Sequence, residues 1–168
     1  MKNAGTLQLT APGEREIVMT RVFDAPRQLV FDAHTKPELV KRWLLGPPGW
    51  SMPVCEIDLR VGGKYRYVWR HDREGTEMGM GGVYREIVAP ERIVNTEKFD
   101  EASYPAEAVD TLVLVEQGSR TTLTLTVLYE SREAREAVLK SGMESGVAAS
   151  YDRLADLLAS TLHASNQS

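Results

Sequence analysis

Phe23-Asp-Ala-Pro-Arg-Gln-Leu-Val-Phe-Asp-Ala-His-Thr-Lys-Pro-Glu-Leu-Val-Lys-Arg-Trp43 decides the fold. It follows a strand-like run at 16–23 and reads as two short helices in succession. Asp24 or Ala25 stands where a cap is needed, and Pro26 suits a first turn, where a missing N–H costs nothing. Leu29, Val30 and Ala33 give the first helix an apolar side. Thr35-Lys-Pro-Glu38 has the form of a capping box, in which hydroxyl and carboxylate each take one free N–H. Leu39, Val40 and Trp43 then share one side of the second helix, so Trp43 is expected to point inward. Gly46-Pro-Pro-Gly49 stops that helix.

Strand-like segments follow at 52–59, 64–71, 77–88, 92–99, 109–116 and 121–129. Val61-Gly-Gly63, Asp72-Arg-Glu-Gly75, Ala89-Pro-Glu91 and Gln117-Gly-Ser119 supply turn chemistry between them, and 100–108 reads as a longer loop. Two segments alternate cleanly. Tyr65, Tyr67, Trp69 and His71 oppose Lys64, Arg66, Val68 and Arg70, and Leu123, Leu125, Val127 and Tyr129 oppose Thr122, Thr124 and Thr126. Period-two alternation describes strands with one buried and one wet face, and the lack of crossover helices favours antiparallel pairing. From Ser131, a suitable N-cap, the chain reads as one helix to about Leu162, with Met143, Val147, Tyr151, Leu154 and Leu158 on one stripe. Gly142 and Gly146 interrupt it, each at about 1 kcal/mol relative to Ala. They either leave room for a ligand, or admit a close neighbour or a break near Ser141-Gly142.

The expected architecture is α+β: an antiparallel sheet curved around a long C-terminal helix, with two short helices after the first strand. Residues 1–13 read as a flexible lead, 14–162 as one domain and 163–168 as a flexible tail.

Composition narrows the function classes. The 168 residues are 42% hydrophobic and 26% charged, ordinary for one globular domain. A net charge of -4 gives no electrostatic footprint for nucleic acid. Arg60, Lys64, Arg66 and Arg70 form the densest basic group, but Glu56, Asp58 and Asp72 interrupt it, as on a solvated strand face. No apolar run approaches the ~18 residues of a membrane span, so no membrane insertion is expected. Residues 1–13 lack the apolar core of a secretory signal. The single Cys55 cannot form an internal disulfide and suits a reducing compartment, so a cytoplasmic protein is expected.

Common catalytic signatures are missing. His34, His71, His163 and Cys55 are too scattered for a zinc site, and Gly79-Met-Gly-Gly82 lies within a strand rather than before a helix. No nucleophile elbow is present. No cofactor and no metal is expected. What remains is a set of large or adaptable residues suited either to filling a core or to lining an apolar pocket: Trp43, Trp50, Tyr67, Trp69, Met78, Met80, Tyr84, Phe99, Met143, Gly146, Val147 and Tyr151. Two polar residues are weak catalytic candidates. His71 ends the aromatic side of its strand, at either a cavity end or a surface turn. Glu97 alternates with Asn95 and Phe99 and would be an acid or base if inward. Cys55 alternates with Ile57 and Leu59 and reads as a buried structural thiol.

Taken in order, Phe23-Asp-Ala-Pro-Arg, Phe31-Asp-Ala, Thr35-Lys-Pro-Glu38, Arg42-Trp43, Gly46-Pro47, Cys55-Glu-Ile-Asp-Leu-Arg60, Gly62-Gly63, Gly82-Val-Tyr-Arg-Glu-Ile87, Pro90-Glu-Arg92 and Tyr151-Asp-Arg-Leu-Ala-Asp-Leu157 carry a resemblance. From about Glu14 to Leu158 the chain resembles the SRPBCC superfamily, and within it the bacterial proteins related to the activator of heat shock protein 90 ATPase. The resemblance implies the START-like helix-grip fold of the birch-pollen-allergen proteins, with a cavity between sheet and long helix. It implies little about activity, since the superfamily includes lipid and polyketide binders, aromatase/cyclases, hydroxylase domains and toxin-resistance proteins. Val61 stands where Pro is common before the Gly pair, and Leu44-Leu45 where the second aromatic of a Trp-Trp pair is common. The leading expectation is binding of an apolar, aromatic or lipid-like small molecule in that cavity. Alternatives are a cyclase, hydrolase or isomerase using His71 or Glu97, and a chaperone-ATPase activator. A chaperone partner ranks below the small-molecule ligand, and exposed strand edges are compatible with a homodimer.

Overall fold

The computed structural model describes residues 6–100 and 107–166. Eight strands run in chain order: β1 (Gln8–Thr10), β2 (Glu16–Phe23), β3 (Trp50–Ile57), β4 (Lys64–His71), β5 (Glu77–Val88), β6 (Arg92–Phe99), β7 (Ala108–Gln117) and β8 (Arg120–Leu128). Helices α1 (Arg27–Thr35) and α2 (Pro37–Trp43) separate β2 from β3, and α3 (Arg132–Lys140) and α4 (Met143–Asn166) end the chain. The strands form one curved antiparallel sheet in the order β1-β2-β8-β7-β6-β5-β4-β3. The pair α1–α2 therefore carries the chain from near one sheet edge to the other. This is the helix-grip architecture expected from the sequence.

Alternation drives the sheet's assembly. Ile17, Met19, Arg21 and Phe23 of β2 are all buried, as are Tyr65, Tyr67 and Trp69 of β4. The main core joins these side chains to Val30, Val40, Trp43, Leu114, Leu123, Tyr151 and Leu154, tying α1, α2 and α4 to the concave side. A smaller cluster of Ile17, Met19, Val127, Tyr129 and Ala134 seats α3 near the other end. On β5, a Cβ at Gly82 would overlap the Thr96 carbonyl, so only glycine lets β5 approach β6 there. Pro53 falls in the register shift of β3, an edge strand, where a missing N–H leaves no ladder bond unmade.

Several local expectations change. Residues 8–10, read as part of a flexible lead, form β1 against β2, with Leu7 and Leu9 packed on the smaller core. Buried Arg135 holds this segment by donating to the carbonyls of Ala11 (3.2 Å), Glu16 (3.0 Å) and Gly13 (3.4 Å). The capping box does not form. Only Lys36 separates α1 from α2, so Thr35 is still helical, and its hydroxyl donates back to Phe31 O at 3.0 Å. Pro26 occupies the N-cap of α1 itself, without a side-chain cap bond. Ser131 does cap α3, accepting from Ala134 N at 3.0 Å. The long helix read from 131 is two helices, because Gly142 adopts φ +79° between them. α4 continues to Asn166, into the expected tail. The loop expected at 100–108 lies largely outside the described residues. Among the described residues, no helix is long and apolar enough to cross a membrane.

Candidate functional site

A cavity of about 490 Å³ lies between the concave sheet and the helices, within the range of sites for drug-sized ligands. Its walls follow from strand parity: Tyr65, Tyr67 and Trp69 come from β4, Met78, Met80 and Tyr84 from β5, and Ile93, Asn95, Glu97 and Phe99 from β6. The helical side contributes Val138 of α3 and Met143, Gly146, Val147, Ser150 and Tyr151 of α4. Aromatic rings form a nearly continuous wall. Tyr65 meets Tyr67 at 5.1 Å and Tyr84 at 5.4 Å, Tyr67 meets Trp69 at 5.9 Å, and Trp69 stacks on Phe99 at 6.4 Å. Met78 lines the cavity yet is 45% exposed, which marks where it meets solvent.

Hydrogen bonds to and from the backbone hold the wall in place. Trp43 Nε1 donates to Ala33 O (2.8 Å) while its ring stacks on Tyr151 at 5.7 Å. Trp69 Nε1 donates to Leu44 O (2.7 Å), and Gly46 N donates to Ser150 Oγ (2.8 Å). These bonds pin the α2–β3 connection over α4 and β4.

One patch of the lining is polar. Asn95, Glu97 and Asp110 meet there across β6 and β7, where Asn95 pairs in register with Asp110. The Glu97 and Asp110 carboxyls hydrogen-bond to each other, which requires a proton on one of them. Burial pushes both carboxyls above the ordinary carboxylate range. Asp110 is pushed well above it, with the Glu97 charge adding to the effect. The pair therefore holds one proton between two acidic groups. Asp110 is 7% exposed, and its Oδ1 has no N–H or hydroxyl donor among the described residues. Glu97 lines the same patch with intermediate exposure. Tyr65 stands alongside, donating to Thr96 O at 2.6 Å and accepting from Asn95 Nδ2 at 3.1 Å. Burial raises the hydroxyls of Tyr65, Tyr67, Tyr84 and Tyr151, so all four stay neutral.

His34 is the other titratable group in the lining. Its Nδ1 lies 2.7 Å from Val30 O, and a carbonyl only accepts, so Nδ1 carries the proton and Nε2 a lone pair. Nε2 is buried without a partner among the described residues. Burial lowers the imidazole pKa to about 4, so His34 is neutral at physiological pH.

All twelve residues picked out as pocket-lining fall in the wall of this one cavity. Gly146 lies against the α2–β3 connection, where an added Cβ would stand 3.4 Å from Pro47 Cδ, a close but ordinary contact. Of the two catalytic candidates, Glu97 is in the wall and His71 is not. His71 sits at the β4–β5 turn, edge-on to Trp50 at 5.1 Å, with Nδ1 accepting from Glu74 N at 3.2 Å. Cys55 is half-buried, outside the cavity, and burial raises its thiol to about 11. Asp110 and His34 escaped the sequence reading although each carried a signal. Asp110 shares parity with Leu112 and Leu114, and His34 follows Val30 by four residues on the inner side of α1. Among the described residues, no group of three or more His, Cys, Asp or Glu is placed to hold a metal ion.

A curved antiparallel sheet closed by a C-terminal helix over a cavity is the START-like helix-grip form. The profile of the family described as activator of Hsp90 ATPase homolog 1-like protein matches residues 24–159, and the chain belongs to this family, within the SRPBCC superfamily. Among solved structures, a protein from Rhodobacter sphaeroides is 30% identical with a TM-score of 0.85, over 92% of this chain and 99% of that one. One from Chromobacterium violaceum is 29% identical with a TM-score of 0.77, over 86% and 96%. A Plasmodium falciparum protein described as an HSP90 activator shares the fold at 20% identity and a TM-score of 0.56, over 79% and 91%. No curated protein sequence matches significantly.

Proposed function

We propose that the protein binds an apolar, ring-bearing or lipid-like small molecule in the space between sheet and α4. The observation that carries this reading is the cavity of about 490 Å³ walled by aromatic and methionine side chains, with its polar groups gathered in one patch. Apolar burial at ~25 cal/mol per Å² supplies affinity in such a site, and a few convergent polar groups fix orientation.

The test is a thermal-shift screen against fatty acids, sterols, flavonoids and planar polyketides. A ligand at a hundredfold excess over its Kd adds about 2.7 kcal/mol, or roughly 5–10 °C in a domain of this size. Val147→Trp should abolish the shift, because Val147 lines the space from α4 and the larger ring fills it. Gly146 is the poorer choice, since bulk there presses on Pro47. A shift that persists undiminished in folded Val147→Trp sinks the reading.

The proton shared by Glu97 and Asp110 favours a second reading, an acid–base enzyme of cyclase, hydrolase or isomerase type. Turnover of a bound ligand that disappears in Glu97→Gln, with binding retained, separates it from simple binding. The family description adds a third, stimulation of a chaperone ATPase, tested by the Hsp90 ATPase rate with and without micromolar protein.

A further inference from the structure

The cavity lining is lopsided in charge. It holds two carboxyl groups, Glu97 and Asp110, and among the described residues no Lys or Arg. The buried arginine nearest in kind, Arg21, lies outside the lining and is engaged with Asp152 at 2.8 Å. A ligand carboxylate or phosphate would thus meet acids and no cation. The Asp110 carboxyl, 7% exposed, is met by the Asn95 amide and by Glu97, yet its Oδ1 has no donor among the described residues and remains an open acceptor. A buried acceptor with an open lone pair favours a ligand that donates to it.

The surroundings of the pair favour one kind of donor. Tyr65, Tyr67, Trp69 and Tyr84 present a contiguous run of rings beside Glu97, and ring faces attract cations. A pair that holds one proton carries one net negative charge, which one ammonium balances. Charge-assisted N–H···O⁻ bonds are roughly twice as strong as neutral ones, and more so away from water.

We infer that the ligand of this cavity is an apolar, ring-bearing amine, whose ammonium group is held by Glu97 with Asp110 behind it and by the aromatic rings of β4 and β5. This rests on the cavity-binding reading above and narrows it to a chemical class. It also excludes fatty acids and other anionic lipids as the preferred occupants.

Three probes that share a naphthalene ring test it at pH 7.5 by titration calorimetry: 2-(1-naphthyl)ethylamine, 2-(1-naphthyl)ethanol and 1-naphthylacetic acid. The amine should bind about tenfold or more tightly than the alcohol, and the acid weakest. Glu97→Gln should remove about a tenfold share of amine affinity and leave the alcohol nearly unchanged. If the alcohol or the acid binds as well as the amine, the amine inference falls while the cavity reading stands. An amine preference that survives in folded Glu97→Gln and Asp110→Asn also overturns the inference, because the ammonium then sits elsewhere. Binding of none of the three to the wild-type protein overturns both. The wild-type ranking needs no variant, so a misfolded substitution cannot hide a failure.

Discussion

Two buried charges in this molecule are treated in opposite ways. Arg135 on α3 is 5% exposed, and its guanidinium is met by three backbone carbonyls of the N-terminal segment and by Glu136 at 3.6 Å. Among the described residues, only its Nε lacks a partner. Asp110 on β7 is equally buried at 7%, but its neighbour is another acid, Glu97. Both sites withdraw an ionisable group from water, which costs several kcal/mol per charge unless partners compensate. At Arg135 the protein supplies those partners and gains a structural tie between α3, β1 and β2. At Asp110 it supplies the Asn95 amide and a second acid, and the pair retains a proton. The difference separates a device of the fold from a site with chemistry still to be satisfied.

The largest expected effect comes from breaking the satisfied side. Arg135→Met keeps the aliphatic stem but strands the carbonyls of Ala11, Gly13 and Glu16. Removing one partner of a buried charged network costs about 3–5 kcal/mol, so urea denaturation should show a loss of that size. Limited proteolysis should cut early within 6–15, since the tie to α3 is gone. A loss under about 1 kcal/mol would mean that Arg135 is not a structural tie.

His34 supplies a third kind of burial, a base kept neutral, and its effect on pH dependence is nearly as large. Its pKa falls from 6.5 in the unfolded chain to about 4 in the folded one. The unfolded state therefore binds the proton more tightly, and stability present above pH 6.5 is lost as pH falls towards 4. A shift of this size corresponds to about 3 kcal/mol over that window. His34→Gln should remove this acid limb in urea titrations at pH 4.5 and 7.0. An unchanged difference between the two pH values would assign the limb to other groups.

How much of this was readable beforehand depends on whether a property is local. Trp43 faces inward because Leu39, Val40 and Trp43 share one helical side, and Ser131 caps α3 because a hydroxyl before a helix has free N–H groups to meet. Strand parity brought the pocket residues to one wall without any knowledge of strand order, since parity alone chooses the face. Contacts between distant segments were not readable. Glu97 meets Asp110 only because β6 and β7 pair with Asn95 opposite Asp110, and a register one residue away would send every side chain of one strand to the other face. Gly146 faces Pro47 across about a hundred residues of chain, a neighbour that no stripe or spacing contains. The capping box failed for a local reason that spacing concealed: a one-residue link leaves Thr35 inside the preceding helix, with Phe31 O within reach of its hydroxyl.

The smallest effect tests the unsatisfied side, and its sign runs opposite to that of His34. Both carboxyls have folded pKa values raised by burial, so the native state binds protons more tightly than the unfolded chain. Their contribution is fully present below the ordinary carboxylate value of about 4 and declines as pH rises through the folded values. Glu97→Gln removes one acid and gives Asp110 a neutral amide neighbour that can donate to it. At pH 8 the variant should be more stable than the wild type by about 1–2 kcal/mol, because one of two buried carboxyls whose charged forms are disfavoured has been removed. Towards pH 4 the advantage should shrink, leaving the His34 limb steeper and undisguised. A residue whose removal stabilises the fold is the pattern expected where burial serves a site rather than the core. Destabilisation by Glu97→Gln at pH 8 would place the pair with Arg135, among the ties of the fold.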